Sequence, residues 1–157
     1  MKDDGIKSYI IKKYLPLINK ILNLYLQKFS INLELELTSD FEIDIKTKFK
    51  ENFTYYNFSA GEQKRIDTAL LFTFLDFCKL KHSKSKTNVL IIDEFASGLD
   101  PEGENVLYEI LKDLSQDSNM EIITISHSQA IDPDKIDRIL EAVVDRGFSQ
   151  LVEHEEA

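Results

Sequence analysis

A chain of 157 residues is long enough to bury one core, and its net charge of −9 argues against a dedicated nucleic-acid binder, whose footprint is normally basic. Hydrophobic residues make up 43% and charged residues 30%, as in ordinary soluble globular proteins, and no stretch approaches the ~20 apolar residues of a membrane span. The opening MKDDGIKSYIIKKY is too charged for a secretory signal, and the single Cys78 excludes an internal disulfide framework, which fits a reducing, cytoplasmic setting.

From about residue 6 to 29, Ile6, Ile10, Tyr14, Leu17, Ile18, Ile21, Leu22 and Tyr25 recur at steps of three and four, which predicts an amphipathic helix kinked or divided at Pro16. Two alternating stretches follow on either side of Ser39-Asp40: Ile31, Leu33, Leu35 and Leu37, then Phe41, Ile43 and Ile45. Period two on both sides of a polar turn predicts a β-hairpin with one buried face. A second helix is expected from near Ser59 to Leu80. Past it, Lys79, Lys81, Lys84 and Lys86 gather; the ordinary reading is a solvated loop, the functional one a contact to DNA phosphates. An apolar strand at Val89-Leu90-Ile91-Ile92, a helix from about Glu102 to Leu114 and an apolar strand from Ile122 to Ile125 come next. Two more strands, Ile139 to Val144 and Phe148 to Val152, join at Asp145-Arg146-Gly147. Strands without a polar face, separated by helices, predict an α/β fold with a mainly parallel sheet covered on both sides, preceded by the helix and hairpin.

The chemistry-bearing residues fall at element ends. Asp93 and Glu94 close an apolar strand, at the carboxyl edge where parallel sheets bind ligands. Asp93 suits a magnesium ion and Glu94 an attacking water, although a strand end with two solvated acids is the plainer alternative. Asp100 and Pro101 read as N-cap and first residue of a helix, with Glu102 and Glu104 favouring its N-terminus. Ser59 and Glu62 have capping-box spacing, and a Ser-x-Gly at a helix N-terminus is also a phosphate site. His127, just past the Ile122–Ile125 strand, shares the catalytic edge with Asp93.

In that order, FSAGEQKR, VLIIDE, SGLD and ITISHS resemble the signature, Walker B, D-loop and H-loop of the C-terminal lobe of ATP-binding-cassette ATPases. SAGE followed by a long helix resembles the chromosome-maintenance (SMC) and double-strand-break-repair branch. GIKSYIIKKYLPLINKILNLYL with the following hairpin looks like the large subunits of phage recombination exonucleases, which are similar to the SbcC family. The resemblance runs from about Gly5 to Val152 and is densest from Phe58 to Ser128. It implies one lobe over residues 1–157: a coiled-coil root helix (1–29), a hairpin (30–50) and a signature, Walker B, D-loop and H-loop region (58–152).

By that resemblance, ATP and Mg²⁺ are the cofactors. Ser59 and Gly61, in the stretch Ser59, Ala60, Gly61, Glu62, would touch the γ-phosphate of ATP held by an opposing head. Asp93 would serve the metal, Glu94 would be the general base, Asp100 would cross the dimer interface and His127 would sense the γ-phosphate. The implied partners are an N-terminal Walker A lobe, a second identical head, a nuclease subunit docking at the root helix and, through the complex, DNA ends, with no membrane. The departures are the lack of any G-x-x-x-x-G-K-[ST], of the Q-loop lobe, of the coiled coil and of a C-x-x-C hook, together with Phe58 where Leu is usual and Ala60 for glycine. The chain therefore reads as a piece of a longer protein or the product of a split gene, inactive until a Walker A lobe completes it. The rival readings are a free-standing lobe that docks on and blocks another head, and a head from another SMC-like branch.

Overall fold

The computed structural model describes residues 3–46, 53–81, 88–118, 120–127 and 135–153, with no side chains described before residue 12. Helix α1, Asp3–Lys28, runs unbroken through Pro16, so the expected division does not occur; the proline sits on the exposed side, where losing one ladder bond is tolerated. Ile18, Leu22, Tyr25, Leu26 and Phe29 form the buried stripe, while Leu17 is exposed. The helix stops in a Schellman turn: the Ile31 N–H reaches the Leu26 carbonyl at 2.9 Å and the Ser30 N–H the Gln27 carbonyl at 3.1 Å.

Strands β1, Glu34–Leu37, and β2, Ile43–Lys46, form the expected antiparallel hairpin, with Leu35 opposite Ile45 and both buried. The outer edge of β1 is held by α1 itself. Asn19 exchanges two hydrogen bonds with the Leu37 backbone (2.8 and 3.2 Å), and Asn23 does the same with Leu35 (2.8 and 3.2 Å). At a spacing of four on one helix face, the two asparagines stand in for a neighbouring strand and leave the hairpin without an open edge there.

A 3-10 turn, Tyr55–Asn57, leads into helix α2, Ala60–Lys81, whose Ile66, Ala69 and Phe72 are fully buried. Strand β3, Val89–Asp93, pairs in parallel with β4, Glu121–Ile125, and helix α3, Pro101–Ser118, connects them. The inner face carries Ile92 into the core, where Leu107, Ile110, Leu111 and Leu114 of α3 meet it. The outer face is bare, with Ile91 63% and Ile123 51% exposed and Val89 and Ile125 beside them. The parallel pairing is thus confined to two strands, and the expected covering holds for one face, because among the described residues no other element lies over the second.

Strands β5, Leu140–Asp145, and β6, Phe148–Glu153, make an antiparallel hairpin. Arg146 (φ 48°) and Gly147 (φ 84°) form its turn, the left-handed pair that a two-residue hairpin loop needs. No described helix is long and apolar enough to cross a membrane. Of the lysine run, Lys84 and Lys86 lie outside the described residues.

Candidate functional site

The start of α2 is a complete capping box. Ser59 donates its backbone N–H (2.8 Å) and its hydroxyl (2.7 Å) to Glu62 Oε2, and its Oγ accepts from the Glu62 N–H at 3.3 Å. The Ser59 hydroxyl and backbone donors hold the Glu62 carboxyl below the usual carboxylate range. Two donors of Ser59 therefore converge on one oxyanion at an exposed helix N-terminus, a geometry that suits a phosphate oxygen equally well. A Cβ at Gly61 would meet nothing within 4 Å. Gly61→Ala is accordingly expected to leave thermal stability unchanged or raise it by at most ~1 kcal/mol, since alanine is the better helix former. Where an anion must approach, the same methyl obstructs it, so thermal melts and anion binding should part company in this variant.

The second group sits at the carboxyl edge of β3 and β4. Alternation along β3 puts Asp93 on the bare face with Val89 and Ile91, opposite Ile125 in the parallel register. Glu94 leaves the strand in the left-handed region (φ 49°), uncommon for a residue with a side chain, and its N–H still bonds the Ile125 carbonyl at 2.9 Å. This single residue of reversed twist turns the carboxylate across the edge towards β4's end, where His127 Nε2 lies 3.6 Å from Glu94 Oε1. That oxygen is shielded from solvent and accepts no hydrogen bond among the described residues.

What joins the two groups is the next stretch of α2. Lys64 Nζ lies 4.5 Å over the Phe95 ring, and Arg65 grips Asp100 through Nε (3.0 Å) and Nη2 (2.5 Å). Asp100 is also the N-cap of α3, accepting the Gly103 N–H at 3.1 Å, while Pro101 opens the helix as expected. The Arg65 guanidinium pulls the carboxyls of Asp100 and Glu102 below the usual range. Gly103 is required by this packing: a Cβ there would stand 2.9 Å from Asp100 Oδ1 and 3.2 Å from Arg65 Nε.

The structure therefore brings Glu94 to His127, closes Ser59 on Glu62 and ties Asp100 back to α2. Arg65, only 7% exposed, carries no role in the sequence-based reading. Its signal was a basic residue in register with Ala69 and Phe72 on the buried side of α2.

The family described as "AAA domain, putative AbiEii toxin, Type IV TA system" matches residues 1–132. The chain belongs to that family and is similar in sequence to a phage exonuclease subunit. It is 43% identical over 125 residues to exonuclease subunit 2 of Escherichia phage RB69, and 37% identical over 127 residues to exonuclease subunit 2 of Enterobacteria phage T4. The matches take in 79% and 81% of this chain but 22% of either relative, so the chain spans about a fifth of their length. An SMC structure from work on ATP-driven dimerization and DNA-stimulated activation of SMC ATPases superposes with a TM-score of 0.74 over 94% of this chain and 89% of that one. At 17% identity that likeness concerns the fold alone.

Proposed function

We propose that the chain is the C-terminal half of a recombination or repair ATPase head, which binds and hydrolyses ATP with Mg²⁺ once an N-terminal Walker A lobe joins it and so gates a partner nuclease on DNA ends. The observation that carries this reading is the bare apolar face of β3 and β4, with Asp93 at its edge. A parallel sheet is ordinarily covered on both faces, and the layer that would cover Ile91 and Ile123 would arrive on the side where Asp93 stands. The relatives' greater length supplies the source of such a layer.

The residues fit the nucleotide and metal. Ser59, with Ala60 and Gly61 leaving room around it, offers two donors now occupied by the Glu62 carboxylate, and Glu62 releases them when phosphate oxygens take its place. Asp93 presents a carboxylate of the kind that holds magnesium together with phosphate oxygens. The magnesium ion supplies neutralisation of phosphate charge. Glu94, already turned across the edge with an unmet acceptor, takes the proton of the attacking water, and His127 steadies the carboxylate and the water's approach. Asp100, fixed by Arg65, faces a second copy of the head across their interface. A phage-encoded head would act in the host cytoplasm.

The test is magnesium-dependent ATP hydrolysis by this chain alone and mixed with a separately produced Walker A lobe. Turnover confined to the mixture supports the reading; a mixture that forms the complex and hydrolyses nothing sinks it and leaves a docking, inhibitory lobe. Ser59→Arg adds bulk and charge where the phosphate would enter. It should abolish ATP-driven association of two completed heads, measured by light scattering, while the fold survives because Ser59 is exposed. Undiminished association would remove Ser59 from the phosphate site.

A further inference from the structure

The turn ahead of the Ser59 capping box is pinned from two sides, yet it carries the most exposed large apolar side chain among the described residues. The Thr54 N–H donates to Asn57 Oδ1 at 2.8 Å and the Asn57 N–H to the Thr54 carbonyl at 3.0 Å, which closes the 3-10 turn Tyr55–Asn57. From α2, the Gln63 side-chain amide donates to the carbonyls of Tyr55 (3.3 Å) and Phe58 (3.0 Å), and Asp67 accepts the Tyr55 hydroxyl at 2.9 Å. The buried Phe58 ring meets Phe53 edge-on. Tyr56 lies outside this scaffold. It is 86% exposed, its ring touching the edge of Tyr55 at a centroid distance of 5.8 Å. Nothing in the fold repays an apolar ring held in water on a fixed backbone. Such a ring, with few rotatable bonds to freeze, is a ready platform for a flat ligand.

Tyr56 stands three residues ahead of Ser59, whose two donors suit a terminal phosphate. Three residues of chain span at most about 10 Å, comparable with the reach of a nucleoside triphosphate from its last phosphate to its base. We propose that Tyr56 is the base-contacting residue of this site: with the phosphate end of ATP at Ser59, the Tyr56 ring stacks on the base at the other end. The assignment rests on the function proposed above and adds to it the determinant of the nucleotide's far end. Stacking separates a nucleotide from an inorganic phosphate but not one base from another, since every base has a π-face. A ring positioned beforehand by the Asn57, Gln63 and Asp67 contacts loses little freedom when the base arrives.

Two completed heads titrated with ATP and followed by light scattering give the test. Tyr56→Ala should raise the ATP concentration at half-maximal association about tenfold, the order expected when a base loses its aromatic partner. Tyr56→Phe keeps the ring and should stay within about twofold of wild type. The thermal midpoint of the chain should be the same for all three, because so exposed a side chain adds little to the core. An unchanged ATP requirement in Tyr56→Ala overturns the stacking role. An equal rise in Tyr56→Phe also overturns it, by tracing the effect to the hydroxyl, as does a lowered thermal midpoint in Tyr56→Ala, by tracing it to the fold. Wild-type heads that associate at no ATP concentration overturn the half-head reading itself, and the assignment falls with it.

Discussion

Glu94→Gln in the completed head is expected to lower ATP turnover by ~10²–10⁴-fold, the usual worth of a general base, while the heads stay associated around unhydrolysed ATP. The amide keeps the size and planar shape of the carboxylate, but one acceptor oxygen becomes an NH2 donor and it cannot take a proton. The left-handed turn at φ 49° and the N–H bond to the Ile125 carbonyl belong to the backbone, so they persist in the variant. Lost chemistry with intact architecture is therefore the expected combination, read as steady-state phosphate release together with the mass of the ATP-bound complex. Turnover within a few-fold of wild type would dismiss Glu94 as the base and point to the neighbouring Asp93 or to water held by other groups.

Phe72→Ala should destabilise the chain by ~3–5 kcal/mol, the range for deleting a buried aromatic ring. Phe72 is fully buried at the middle of α2, its ring 5.8 Å from that of Tyr25 on α1, so the cavity would open between the two longest helices. Against a total stability of ~5–15 kcal/mol for a domain, that is a large part of the whole. The neighbouring Leu71, 41% exposed, supplies the contrast: Leu71→Ala should cost under ~1 kcal/mol, as surface changes do. Urea denaturation distinguishes the two. With a slope of ~1–3 kcal/mol per molar for a domain of this size, the Phe72 variant should shift its midpoint by about 1 M or more. Equal midpoints for the two variants would show that α1 and α2 do not share one core.

Much of this arrangement is legible in the order of residues, because the physics involved is local. Apolar recurrence at steps of three and four marks α1 and α2, and strict alternation marks the β1–β2 hairpin. The caps are sequence-local too: the Ser59–Glu62 box, Asp100 on the Gly103 N–H and Pro101 at the first helical position each involve residues within three of one another. The Asp145-Arg146-Gly147 turn is similarly written in its glycine.

Other features hinge on which segments meet. Asn19 and Asn23 read as ordinary polar positions on a helix until the β1 backbone is placed beside them, because an asparagine's partner has no sequence signature. The continuity of α1 through Pro16 depends on that face being exposed, and exposure is a property of packing. One face of β3 and β4 stays bare among the described residues because an apolar strand declares that both its faces want burial, not whether this chain supplies both layers.

The sequence by itself determined the elements, their caps and the order of the FSAGEQKR, VLIIDE, SGLD and ITISHS segments, since these rest on propensity and on interactions within a turn or two of chain. Only the tertiary structure decided that Glu94 turns towards His127, and that Arg65 stands between α1, α2 and α3. Those contacts span from 33 to 37 residues, a separation over which the identity of a partner depends on the packed core that brings the segments together.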